Sequence, residues 1–299
     1  MHWRAKLAVQ NAIAALPPRF GDPLYHSLQK RSGLKPNCQS HYDFVTHCER
    51  LLGNGSAWIA GKSVVELGSG WFPLTPLLLA GLGASEVHTF DLHEHYSPER
   101  IREAARALRS FRKEFAGLPF LKESEFSGRL PPVVHYYPRA DLAKCNGLPC
   151  GKIDLAISRA AIEHIEPDTI SRIHSTSHRW LAPDGVWVHL VSPSDHRAYS
   201  DKRLHLVDFL RYSEREWQRL SGNRFSYHNR LRRPQYAAIF EATGWRVAKQ
   251  EFSVPPVVLN SISRVDIHSA FQSFSLQDLV ASSLWFVLTR QNVEPGTPG

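Results

Sequence analysis

Carboxylates and imidazoles stand side by side at three places in this 299-residue chain: Asp91-Leu92-His93-Glu94-His95, Glu163-His164 and Asp195-His196. A carboxylate can orient an imidazole that takes a proton, so Asp195 and His196 form a candidate acid/base pair, with His164 as a further candidate. A base of this kind should make a rate rise with pH through a histidine-like pKa. The plainer alternative is a solvated loop pair. His93 and His95, two apart on a loop, make a poor chelate without further partners, and a chain with 16 histidines holds many chance pairs.

A stretch that could hold a ligand lies upstream, at Val64-Val65-Glu66-Leu67-Gly68-Ser69-Gly70-Trp71-Phe72-Pro73. Ser63 to Leu67 is short, apolar and β-branched, as in a parallel strand covered on both faces. Gly68 and Gly70 allow a sharp turn and close approach of a ligand, and Pro73 suits the first turn of a helix over Leu74 to Leu82. The free N–H groups at that helix start would face the ligand. A second strand, Glu86 to Phe90, ends in Asp91, 21 residues after Gly70, where nucleotide-binding βαβ units keep an acid for the ribose hydroxyls. Proline at position 73 replaces the third glycine of the dinucleotide fingerprint, which disfavours a pyrophosphate ligand.

The pattern Glu66-x-Gly68-x-Gly70 resembles motif I of class I S-adenosylmethionine (SAM) dependent methyltransferases, with Phe72 where many members carry a third glycine. The resemblance extends through Arg139-Ala140-Asp141-Leu142, through Ile153 to Ser158 with Ile162-Glu163-His164-Ile165, and through Leu181-Ala182-Pro183-Asp184-Gly185. It implies that Glu66, Gly68, Gly70, Asp91, Leu92, Asp141, Leu142, Ser158 and Arg159 hold SAM, with Asp141 on the adenine amino group. It also implies methyl transfer, with O-methylation of a small molecule, a sugar or a lipid-linked metabolite as the first expectation. Ubiquinone-pathway and small-RNA methyltransferases of this kind hold a divalent metal with Glu-x-x-Glu-His. Here Ala160 replaces the first acid, so no metal is expected.

These residues need a scaffold. Strand-like runs at Val133–Tyr137, Ile153–Ser158, Val186–Val191, Trp245–Phe252 and Ser283–Thr289 join the two already named, with helical segments between most of them, including Ser97-capped Pro98 to Ala116, Glu166 to Leu181 and Pro234 to Thr243. The expected fold is α/β: a doubly wound, mostly parallel, seven-stranded Rossmann-like sheet. An N-terminal helical cap is expected over 1–58, with helices near Trp3–Leu16, Pro23–Lys30 and Ser40–Leu52. The methyltransferase domain would follow over 59–299, with an acceptor-side insertion at 193–233. The stripe Trp3, Leu7, Val9, Ile13, Leu16 suits a helix packed on its own domain, with peripheral membrane contact as the alternative.

Composition narrows the class without naming a substrate. With 42% hydrophobic and 21% charged residues the chain is an ordinary globular one, and only the tail from Asn292 to Gly299 reads as loose. No 18-residue apolar run, no cleavage site after Met1 and four cysteines (Cys38, Cys48, Cys145, Cys150) without metal spacing suit a soluble cytoplasmic protein with reduced thiols. A formal charge of +8 suits an anionic acceptor, a nucleic acid or a membrane surface. The segment Asn223 to Arg233 mixes Arg224, Arg230, Arg232 and Arg233 with aromatics, so an RNA methyltransferase is one rival, although nucleic acid is not the expected partner. A second rival is a binding protein without turnover, with Phe72 filling the turn.

Overall fold

The computed structural model describes residues 3–31, 33–53 and 55–291; the tail from 292 to 299, expected to be loose, lies outside them. Helices α1 (Trp3–Ala14), α2 (Pro18–Arg31) and α3 (Cys38–Leu52) precede β1 (Ser63–Leu67), α4 (Leu74–Gly81), β2 (Glu86–Asp91), α5 (Pro98–Phe111), α6 (Lys113–Ala116), α7 (Pro119–Ser127) and β3 (Val134–Pro138). Then come β4 (Ile153–Arg159), α8 (Pro167–Trp180), β5 (Leu181–Val191), α9 (Arg197–Ser200), α10 (Glu214–Ser221), α11 (Arg233–Ala242), β6 (Trp245–Ser253), α12 (Pro256–Ser261), α13 (Leu276–Val280) and β7 (Ser283–Arg290).

The strands form one seven-stranded sheet in the order β3-β2-β1-β4-β5-β7-β6. The first five are parallel. β7 runs antiparallel between β5 and β6. Winding starts at β1, goes outward to β3 and then returns to β4, so a crevice opens beyond the carboxyl ends of β1 and β4. Neighbouring residues of one strand face opposite layers: Val64 joins the core with Phe44, Leu77 and Trp285, and Val65 the core with Trp180, Trp187 and Phe240. Both valines are fully buried, which is why these strands read as continuous apolar runs.

Ser97 caps α5 as expected, its hydroxyl accepting from Arg100 N–H, with Pro98 at the first turn. The helix stops at Phe111 rather than Ala116 because Arg112 is extended (φ −144°, ψ 148°) and lays its guanidinium over the Tyr42 ring. α2 starts at Pro18, earlier than expected, and carries Pro23 inside it. The N-terminal helices divide into two roles. α3 packs into the sheet core, where His47 stacks on Trp285 and Arg50 pairs with Glu251 of β6. α1 and α2 lie on the insertion, where Arg224 donates to Asp22 and to the Leu16 carbonyl and Tyr25 stacks on Phe225. The α1 face carrying Leu7, Gln10 and Ile13 is buried, whereas Val9 and Leu16 stay exposed. No helix among the described residues is long and apolar enough to cross a membrane.

A chain of neutral polar groups crosses the core between β4, β5 and α8. The Ile170 carbonyl can only accept, so His174 Nδ1–H donates to it; His174 Nε2 then accepts from His189 Nε2–H, and His189 Nδ1 accepts from the Ser158 hydroxyl. Burial pushes His174 down to about 4 and His189 well below its usual value; His41, buried beside Arg159, falls to about 3. The unfolded chain therefore binds more protons at these sites than the folded one as pH falls below about 6.5, and stability is lost toward pH 4, on the order of 3 kcal/mol through His174 alone. Glu66 and Glu163, both raised to about 8 by burial, act oppositely and take stability away as pH rises from 4.5 toward 8. The buried histidines outnumber these two, so the denaturant midpoint should climb between pH 4.5 and 6.5; a flat or falling midpoint in that window would contradict their burial in the neutral form.

Candidate active site

Beyond the carboxyl ends of the parallel strands lies a cavity of about 410 Å³. β1 contributes Leu67, Gly68 and Gly70, β2 Phe90, Asp91 and Leu92, the turn after β3 Ala140, Asp141 and Leu142, and the end of β4 Arg159, Ala160, Ala161 and His164. Tyr25 of α2 and Arg224, Phe225 and Tyr227 of the insertion close it from above. The β1 turn has no room for a side chain at Gly68, which sits at φ +87° and where a Cβ would fall 2.7 Å from Ala161 Cβ. Arg139 and Ala160, which follow β3 and β4, also take left-handed conformations (φ 57° and 48°), so strained backbone gathers around this cavity.

Asp91 ties the β1 turn to β2. Its Oδ2 accepts from Ser69 N–H (3.0 Å) and Ser69 Oγ (3.1 Å), its Oδ1 accepts from His93 N–H (2.9 Å), and His95 Nε2 stands 3.4 Å away. Burial alone would raise its pKa, but His95 and these donors hold it below the usual carboxylate range. All four lone-pair positions are occupied, so a ligand hydroxyl at Asp91 takes the place of the Ser69 hydroxyl or His95. Across the cavity Asp141 Oδ1 accepts from Ala143 N–H and caps the turn at Leu142, leaving Oδ2 with Lys144 at 3.7 Å.

A second cavity of about 160 Å³ adjoins the first, sharing Tyr25, His164 and Phe225 with it, and is lined by α1, Asp195, His196 and His228. His164 Nδ1–H donates to the Tyr227 carbonyl (2.9 Å), which leaves Nε2 unprotonated. The His164 ring lies 4.9 Å from that of His196, and His228 packs edge-on against both. Burial pushes His196 down to about 3, helped by His164 and Lys6, and lowers His164 and His228, so all three are neutral imidazoles at neutral pH. The histidine-like rise of rate expected for a base at His196 falls far below that range.

Several expected site residues do not take the role expected of them. Asp195 does not orient His196: it is 1% exposed and bound to Arg197, which donates from Nε and Nη2 to its two oxygens. Glu66 stands behind the turn, not on the cavity, accepting from Thr89 Oγ1 at 2.6 Å. Ser158 is wholly buried and turned to His189. Three of the four arginines expected to meet an anion are used inside the fold: Arg230 donates to the Phe209 and Tyr212 carbonyls and Glu214, Arg232 to Pro193 and Arg233 to Asp278, whereas Arg224 donates to Asp22 at the rim of the cavity it lines. Their task is to anchor the insertion, and the aromatics among them roof the cavity. Phe72 fills no ligand space; it packs into the core under Arg100. Tyr25 and His228 carried no sequence signal, since nothing in their local pattern marks a roof.

The strand order with its antiparallel seventh strand is the Rossmann-like methyltransferase fold. No family model and no curated protein sequence matches the chain. Solved structures similar to it include SAM-dependent methyltransferases. One from Mesorhizobium loti is 18% identical with a TM-score of 0.45, over 80% of this chain and all (100%) of that one. Phosphoethanolamine N-methyltransferase 2 of Haemonchus contortus, in complex with SAM, is 17% identical with a TM-score of 0.49, over 83% of this chain and 52% of that one. Geranyl diphosphate C-methyltransferase of Streptomyces coelicolor is 11% identical with a TM-score of 0.46, over 82% and 77%.

The two motif glycines should not be equivalent. A Cβ at Gly70 (φ +64°) meets nothing within 4 Å, so Gly70→Ala should cost only the left-handed backbone, roughly 1–2 kcal/mol. Gly68→Ala adds the clash with Ala161, about 1–3 kcal/mol more. Equal losses in denaturant unfolding would show that the two turns do not touch.

Proposed function

We propose that this protein is a SAM-dependent methyltransferase that modifies a small-molecule acceptor, with a hydroxyl oxygen as the first candidate atom. The observation that carries the reading is that Gly68, Gly70, Asp91, Asp141 and Leu142, far apart in sequence, line one cavity at the point where the strand order reverses. Asp91 takes the ribose hydroxyls, Asp141 and Leu142 the adenine, and the glycine turn admits the amino-acid end against bare backbone. Arg159 and the Ala160–Ala161 turn bound the methionine side. Glu66 supports the turn from behind.

Methyl transfer from a sulfonium is a direct displacement: the acceptor lone pair forms a bond to the methyl carbon as the carbon–sulfur pair returns to sulfur. It depends chiefly on alignment in a site closed to water. The second cavity supplies that acceptor position, and its size suits a small molecule. His164 and His196, both neutral, are the groups placed to accept a proton from a hydroxyl. Asp195 holds the insertion through Arg197 and acts on the site through position only. The internal use of Arg230, Arg232 and Arg233 weighs against the RNA reading, and the placement of Phe72 in the core against binding without turnover.

Calorimetry with SAM and its demethylated product should show one site for each. Asp91→Ala should weaken SAM at least tenfold, since charge-assisted hydrogen bonds are worth roughly 1.5–3 kcal/mol each. A folded Asp91→Ala variant with unchanged affinity would overturn the ribose assignment, and a wild-type chain that binds neither compound would overturn the function. Transfer of labelled methyl from SAM into fractionated extracts then identifies the acceptor.

A further inference from the structure

Of the ten large apolar side chains that stand exposed among the described residues, five lie on α1, α2 and the turn between them: Val9, Leu16, Phe20, Leu24 and Leu28. Leu16, Phe20, Leu24 and Leu28 follow one another at intervals of four, so they form one line along α2, with Phe20 the most exposed of them at 58%. Another side of α2 is already committed. Asp22 pairs with Arg224, Tyr25 stacks on Phe225, and Gly21 lies where a Cβ would fall 2.6 Å from the Ile13 carbonyl. The helix therefore cannot roll to bury the line, and an exposed apolar surface of this kind marks a place of docking. We propose that the α1–α2 pair docks on an anionic lipid bilayer.

Charge selects the occupant. The 37 residues before α3 hold six basic residues, Arg4, Lys6, Arg19, Lys30, Arg31 and Lys35, against one acid, Asp22, which is paired with Arg224. This segment therefore carries +5 of the chain's formal +8. Arg19 stands exposed beside the apolar line with its guanidinium 4.8 Å from the centre of the Phe20 ring, and Arg4 and Lys35 are exposed as well. Apolar side chains bordered by basic ones suit the boundary of acyl chains and acidic headgroups, where Phe and Leu enter and Lys and Arg stay outside. A second copy of the chain would set basic segment against basic segment across a two-fold axis. A nucleic acid would answer the charge and leave Leu16, Leu24 and Leu28 in water.

The stripe expected along α1 does not make this face by itself, since Leu7 and Ile13 are buried and only Val9 and Leu16 remain outside. Folding assembles the face from α1 and α2 together. The same two helices reach the site: Tyr25 roofs the first cavity, and Trp3, Lys6, Leu7 and Gln10 line the second. A membrane-borne acceptor would thus enter beneath the helices that dock. That consequence rests on the methyltransferase reading; the docking does not.

Flotation of the full-length chain with lipid vesicles measures the docking. Vesicles of phosphatidylcholine with about one-third phosphatidylglycerol should carry the protein, pure phosphatidylcholine should carry far less, and added salt should weaken the binding. Phe20→Ser, Leu24→Ser and Leu28→Ser combined should weaken it at least tenfold, since the apolar contact of α2 is lost. Arg19→Gln and Lys35→Gln should each weaken it about fivefold. Phe126→Ser is the control: Phe126 on α7 is 90% exposed, more than any residue of the line, and its loss should leave vesicle binding unchanged. Retained cooperative unfolding shows that each variant is folded. No binding to the anionic vesicles, equal binding by the triple variant, or tighter retention on RNA than on vesicles at the same salt would overturn the proposal. Self-association in sedimentation velocity that the triple variant abolishes would overturn it too, with a second copy as the occupant. Vesicle binding without SAM binding keeps the docking surface and removes the methyltransferase reading; SAM binding without vesicle binding does the reverse.

Discussion

The site depends on one close approach, that of the β1 turn to the turn after β4. Where Gly68 meets Ala161 there is space for one methyl group and no second, so the cavity floor is backbone. A ligand can then lie against the ends of β1 and β4 without a side chain between. Asp91 fixes the third edge by gripping Ser69, and left-handed Arg139 and Ala160 turn the chain away from the ends of β3 and β4. Such conformations are held only where the surroundings determine them, here by the sheet register and by the cores on both faces.

Beneath that floor lie two buried carboxyls and an arginine. Glu66 and Glu163 are both buried, with half-buried Arg159 acting on each, and burial lifts both carboxyls to about 8. Such groups cost stability when unpaired; Thr89 and Thr75 serve Glu66, whereas among the described residues Glu163 Oε2 has no hydrogen-bond partner. The insertion is built by a related device: its arginines satisfy carbonyls and acids inside the fold and thereby bring His196, His228, Phe225 and Tyr227 over the strand ends. A basic sequence segment can thus be a frame and not a binding face.

Most of the sheet was legible because parallel strands buried on both sides read as short apolar β-branched runs, and all seven strands lie within a residue or so of their expected spans, apart from β5, which starts earlier. The Gly68–Gly70 turn and Asp91 were legible because their chemistry is local and their spacing follows from one βαβ unit. What sequence could not show is what depends on long-range placement. The antiparallel β7 looks like any other strand until its neighbours are known. Ser158 sits at the expected strand edge but faces His189, since strand alternation decides the side. Asp195 adjoins His196 in sequence and yet turns to Arg197, whereas Glu163, distant in sequence, is the acid that meets His196.

The central claim, that the cavity at the strand ends holds SAM, is tested most directly by a crystal structure of the chain grown with S-adenosylhomocysteine. The ribose should lie on Asp91, the adenine beside Asp141 and Leu142, and the sulfur should face the junction with the second cavity near His164. A ligand bound elsewhere, or the cavity filled by its own side chains at ligand concentrations that saturate related folds, would contradict the account.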